Sequence, residues 1–246
     1  MSSPNFNDRK LPISILVLHY TGMESADAAY DRLCDPAAEV SAHYLVREDG
    51  RVDNLVEEDK RAWHAGVGSW NGITDVNSAS IGIEIVNGGH NVPLEDGSLP
   101  PYPDAQILSV IRLSKEIIAR HDIQPRNIVG HSDIAPERKE DPGEHFPWAG
   151  LAAAGVGLWP GELLEDERVL FELGDRDRGI SILQRGLADL GYGISVSGQL
   201  DDQTQAVIRA LQRRYRPLRI DGVIDMQILE VIKRLSELSR TTVSAA

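Results

Sequence analysis

The sequence predicts an α/β fold, a central mixed β-sheet flanked by helices, followed by a small three-helix domain. Three observations carry this. To about residue 150 the chain alternates short apolar, β-branched runs with helical patterns, as layered sheet-and-helix domains do. From Gly174 the spacing turns purely helical, with Ile180, Leu183, Leu187 and Leu190 on one stripe. The length of 246 residues suits one larger and one smaller unit.

Taken in order, Ile13–Leu18 is a continuous apolar run, the signature of a buried strand. His43–Val46 and Arg51–Val56 flank Asp49-Gly50, a hairpin signal. In Ile81–Val86 the three isoleucines point one way and Gly82, Glu84 and Val86 the other. Asp104 reads as the cap of a helix to about His121, with Ile107, Leu108, Ile111 and Ile118 on one face. Asn127–His131 reads as a short strand, and Ser132–Pro147 as a loop. The Ala/Gly-rich and acidic stretch 151–173 reads as a linker between a domain at 1–150 and one at 174–246. In the second domain, Val207, Ala210 and Leu211 mark another helix, and Ile228, Leu229, Ile232, Leu235 and Leu238 a third. Gly198-Gln-Leu-Asp201 and Gly222-Val-Ile-Asp225 repeat a turn glycine and a capping aspartate ahead of these two helices.

Composition narrows the function. Lys and Arg number 25 against 38 Asp and Glu, a net charge of −13. That is no footprint for nucleic acid or an anionic membrane. The single cysteine, Cys34, excludes an intrachain disulfide. The apolar run Leu11–Leu18 is too short to span a bilayer and is followed by His19-Tyr20-Thr21 rather than a small-residue cleavage site. The expected address is therefore cytoplasmic, with the periplasm or cell envelope as the alternative if a leader has been removed.

The candidate chemistry lies at strand ends. His19 closes Ile-Leu-Val-Leu-His and His131 closes Ile-Val-Gly-His. If these strands are neighbours, both imidazoles emerge at one sheet edge. Asp141, ten positions past His131, is the third ligand such a pair needs. Two imidazoles, a carboxylate and one open position make a catalytic zinc arrangement. Taken singly, a strand-end histidine is more often a hydrogen-bonded structural residue. Glu84 interrupts an apolar strand, where an acid needs a partner or a purpose. Facing solvent activated at a metal, it can act as general base and then as acid. Lys139 stands two residues before Asp141, so in an extended segment it points the same way and can stabilise an oxyanion.

Val17-Leu-His-Tyr-Thr21, Ser41-Ala-His-Tyr-Leu-Val46, Arg61-Ala-Trp-His-Ala-Gly66, Ser80-Ile-Gly-Ile-Glu-Ile85 and Gly130-His-Ser-Asp-Ile-Ala-Pro-Glu-Arg-Lys-Glu-Asp-Pro-Gly143 form an ordered series. It resembles the zinc-dependent N-acetylmuramoyl-L-alanine amidases of the type 2 family, which share their fold with peptidoglycan recognition proteins. The resemblance implies one Zn²⁺ held by His19, His131 and Asp141, Glu84 as catalytic acid/base and Lys139 polarising the scissile amide. It also implies a peptidoglycan or muropeptide substrate, for which Trp63 and His64 are candidate cleft residues. The segment from Gly174 to Leu238 is similar to three-helix peptidoglycan-binding domains. Three rivals use the same residues: a non-catalytic peptidoglycan receptor on this fold; a glycosidase with Glu84 as acid, which needs a second carboxylate across the cleft; and a structural zinc site without activity, against which three protein ligands argue.

Overall fold

The structure is a computed structural model that describes residues 2–163, 166 and 168–243. Leu164, Glu165 and Glu167 of the expected linker, and Ser244–Ala246 of the expected second domain, lie outside the described residues. In chain order the first half contains β1 (Phe6–Asp8), β2 (Ile15–Tyr20), α1 (Ala26–Cys34), β3 (Tyr44–Val46), β4 (Val52–Asn54), β5 (Lys60–Ala62), α2 (Val76–Ala79), β6 (Ser80–Ile85), α3 (Asp104–His121), β7 (Ile128–Gly130), α4 (His131–Ile134) and α5 (Trp148–Ala153). The second half contains β8 (Val169–Phe171), α6 (Arg178–Leu190), α7 (Asp202–Tyr215), β9 (Ile224–Asp225) and α8 (Met226–Val243).

The central sheet has five strands in the order β4-β3-β6-β2-β7. It is mixed: β3, β6, β2 and β7 run parallel and β4 returns antiparallel through the Asp49-Gly50 turn. Gly50 has φ +85, a left-handed conformation that a side chain would resist. A separate ribbon pairs β1 with β5.

Alternation along the strands gives the sheet two apolar faces. Leu16, Leu18, Ile81, Ile83 and Ile85 pack against Val110, Leu113 and Ile117 of α3. Helix α3 opens at Asp104 itself, preceded by Pro103, so the acid sits in the first turn, where it favours the helix dipole. Ile15, Val17 and Val129 face the other way and share a core with Leu187, Val207, Leu211 and Ile228 of the C-terminal helices. The C-terminal helices are thus packed directly onto the sheet.

The segment expected as a linker carries structure. Leu151 and Val156 are buried in the α3-side core, and β8 pairs with β9 across the three-helix unit. Isolated apolar residues in an Ala/Gly-rich stretch gave no periodic signal, and a three-residue strand is too short to read. Within the unit the expected caps form: Asp201 accepts from Thr204 N at 2.9 Å and Asp225 from Ile228 N at 3.0 Å. The repeat extends to a glutamine on each preceding helix. Gln184 Oε1 accepts from Gly198 N and Gln212 Oε1 accepts from Gly222 N, each at 2.8 Å. Both side chains are fully buried, so each ties a helix to the turn ahead of the next.

Candidate metal centre and cleft

The site is set by register. β2 and β6 pair with His19 beside Glu84, and β2 and β7 pair with Leu18 beside Gly130. His131 is one step beyond Gly130, so both histidines leave the sheet at the carboxyl ends of adjacent parallel strands, where open α/β sheets place their sites. The chain then loops back. Ser132 N donates to Asp141 O at 2.9 Å, which brings Asp141 over the same edge.

His19 Nδ1, His131 Nδ1 and Asp141 Oδ2 form a triangle with sides of 3.0, 3.1 and 3.0 Å. All three residues are buried. The outer partner of His131 fixes its inner atom as an acceptor. His131 Nε2 lies 3.0 Å from Ala65 O, a carbonyl, so this nitrogen donates and Nδ1 keeps its lone pair. His19 Nε2 lies 3.0 Å from His64 Nδ1. Desolvation, then the His131 ring, lowers the His19 pKa to about 4, so its imidazole is neutral at pH 7. Two ring nitrogens and a carboxylate oxygen thus converge, each on a buried residue. A tetrahedral ion with ligands at about 2.0–2.1 Å would separate them by about 3.3 Å, close to what is found. The residues fit a divalent metal of the zinc type.

Beside the triangle lies a cavity of about 430 Å³ whose lining includes His19, His64, Glu84, His131, Lys139 and Asp141 together with Tyr20 and Trp63. Glu84 Oε2 is buried without a hydrogen-bond partner. Desolvation, reinforced by the Asp141 charge, pushes its pKa well above the carboxylate range. Lys139 is half-buried and also lines the cavity. Trp63 is half-buried in the lining, its indole N–H donating to Asn7 Oδ1 at 3.0 Å. His64 touches the cavity, but both ring nitrogens face protein groups, His19 and Ser80.

Several contributors gave no sequence signal. Asn77 Oδ1 accepts from His64 N at 3.0 Å and Ala65 N at 2.8 Å, fixing the loop behind the histidines. Tyr20 Oη lies 3.0 Å from His90 Nδ1, and His90 Nε2 lies 3.2 Å from Glu144. His90 is thereby tied to Tyr20, which lines the cavity. The C-terminal unit reaches the ligand loop as well. Asp133, two residues past His131, accepts from Tyr192 Oη at 2.7 Å and from Arg214 Nη1 at 2.8 Å. Among the described residues no helix is long and apolar enough to cross a membrane.

Residues 9–144 match the N-acetylmuramoyl-L-alanine amidase family, and residues 176–232 a peptidoglycan binding domain family. The chain is 39% identical over 235 residues to the N-acetylmuramoyl-L-alanine amidase AmiD of Escherichia coli, covering 92% of this chain and 83% of that one. It is 46% identical over 110 residues to the 1,6-anhydro-N-acetylmuramyl-L-alanine amidase AmpD of Enterobacter cloacae, 45% of this chain and 54% of that one. Among solved structures, AmiD of E. coli with anhydro-N-acetylmuramic acid-L-Ala-D-γ-Glu-L-Lys superposes with a TM-score of 0.78 at 34% identity, covering 96% and 91% of the two chains. AmpDh3 of Pseudomonas aeruginosa with anhydromuramic pentapeptide gives 0.73 at 32% identity, with 92% of each chain covered. Fold and site together define an amide hydrolase of the cell-wall amidase class. The chain belongs to the N-acetylmuramoyl-L-alanine amidase family and is an enzyme of that family.

Proposed function

We propose that this chain hydrolyses the amide between N-acetylmuramic acid and L-alanine with one Zn²⁺ held by His19, His131 and Asp141. The observation that carries this is the convergence of two imidazole nitrogens and a carboxylate oxygen beside a cavity. Such a cluster of acceptors is repulsive without a cation. Having only three protein ligands leaves a coordination position for solvent or substrate, as catalytic rather than structural zinc requires. When bound, zinc supplies Lewis acidity and lowers the pKa of coordinated water to about 7.

The protein groups do the rest. Glu84 Oε2, unpartnered at the cavity, takes a proton from the attacking water in its ionised form and returns it to the departing L-alanine nitrogen; its raised pKa favours the protonated state between the two transfers. The Lys139 ammonium donates to the carbonyl oxygen as it gains charge. Trp63 offers an aromatic face to the substrate in the cavity lining. AmiD and AmpDh3 are described with anhydromuramyl peptides bound, which supports soluble anhydro-muropeptides as substrates here. We assign catalysis to residues 1–150 and peptidoglycan binding to residues 174–246.

Incubation with a soluble anhydromuramyl peptide, and in parallel with intact murein sacculi, tests this. The expected product is free stem peptide with a new L-alanine amino terminus, abolished by chelator. New reducing sugar ends without free peptide would indicate a glycosidase. Binding without any product would leave a receptor.

A further inference from the structure

The two imidazoles of the triangle are held in different ways. His131 is fixed directly by a carbonyl, but the Nε2 of His19 meets the Nδ1 of a second imidazole, His64. A ring nitrogen can donate or accept, so that contact leaves the His19 tautomer undecided. The decision comes from further along the chain of contacts. His64 Nε2 lies 3.1 Å from Ser80 Oγ, and Ser80 Oγ lies 2.5 Å from Val76 O. Two oxygens that close require a proton between them, and a carbonyl only accepts. The Ser80 hydroxyl therefore donates to Val76 O and accepts from His64 Nε2–H. His64 Nδ1 is then bare and accepts from His19 Nε2–H, which leaves the His19 Nδ1 lone pair aimed at Asp141 and His131. His19, His64 and Ser80 are 1%, 8% and 0% exposed, and each link is a direct contact between protein groups. The backbone makes room for this arrangement at Gly82, where a Cβ would come 2.5 Å from His64 Cγ.

We propose that Val76 O, Ser80 and His64 form a polarised relay that locks His19 into the one tautomer able to bind metal. Ser80 and His64 are positioning residues, acting on the metal through His19 only. The proposal rests on the metal reading above. It is distinct from a substrate-binding role for His64.

Two measurements test it. In metal-free, ¹⁵N-histidine-labelled wild-type protein, long-range ¹H–¹⁵N spectra should show both His19 and His64 as Nε2–H tautomers. A protonated His64 Nδ1 would overturn the relay. Competition with a chromophoric chelator should show zinc affinity lower by about 10–100-fold in Ser80→Ala, the range for loss of an outer partner of a ligand. In that variant the His19 tautomer should become mixed, while His131, anchored on Ala65 O, should not change. Affinity within twofold of wild type would overturn the proposal. If Ser80→Ala does not fold, the wild-type spectra still decide. If the wild type binds no zinc, the metal reading falls, and the spectra judge the relay separately.

Discussion

At the scale of single residues, the pair Glu84 and His19 shows what strand register accomplishes. Their parallel alignment puts a carboxylate that resists ionisation next to a ligand that resists protonation. Glu84→Gln should lower turnover by about 10²–10⁴, the general acid–base range, and should leave zinc content unchanged. Lys139→Ala should cost about 10²–10³ through loss of an oxyanion donor. Stem-peptide release measured on metal-replete variants checks both, and wild-type turnover in Glu84→Gln would remove it from the reaction. The strand-end histidines and Glu84 were legible because a polar residue interrupting or closing a β-branched run is conspicuous. Ser80 and Asn77 were not, since a serine or asparagine at a helix–strand junction is what any junction contains. Their roles exist only once α2 has been folded beneath His64.

Elements owe their placement to polar ties as well as to apolar faces. Glu58, between β4 and β5, bonds Arg120 at 2.6 Å and His121 at 2.6 Å at the end of α3, and Tyr44 of β3 at 2.7 Å. Burial would raise its pKa, but these partners outweigh it and bring it down to about 2. A carboxylate depressed in the folded state stabilises above its unfolded pKa, and that contribution is lost as pH falls toward the folded value. The difference in melting temperature between wild type and Glu58→Gln should be full above about pH 5 and should vanish near pH 2. Thermal melts across that range check it, and a gap that persists unchanged into acid would refute it. The apolar stripe of α3 was readable from its period of 3.6. The contact of its last turn with a loop more than sixty positions earlier was not, because no local pattern encodes it.

For the whole molecule, the telling feature is how the C-terminal helices join the sheet. Arg214 and Asp133 are 5% and 1% exposed and bonded at 2.8 Å, and Arg214 also donates to Ile128 O on β7 at 2.9 Å. Its guanidinium lies 4.0 Å from the Trp148 ring centre. Nothing in the local sequence pattern singles out Arg214, because buried charge pairs arise only on docking. With a shared core and this pair, both halves should unfold in one transition. Arg214→Met, which leaves Asp133 buried without its counter-charge, should destabilise by about 3–5 kcal/mol. Urea denaturation followed by fluorescence and circular dichroism checks this; two separated transitions in the wild type would contradict it. The account as a whole turns on the metal. Zinc added stepwise to chelator-treated protein, with amide cleavage followed at each step, should restore activity linearly and stop at one ion per chain. Full cleavage by protein shown to be zinc-free would contradict it.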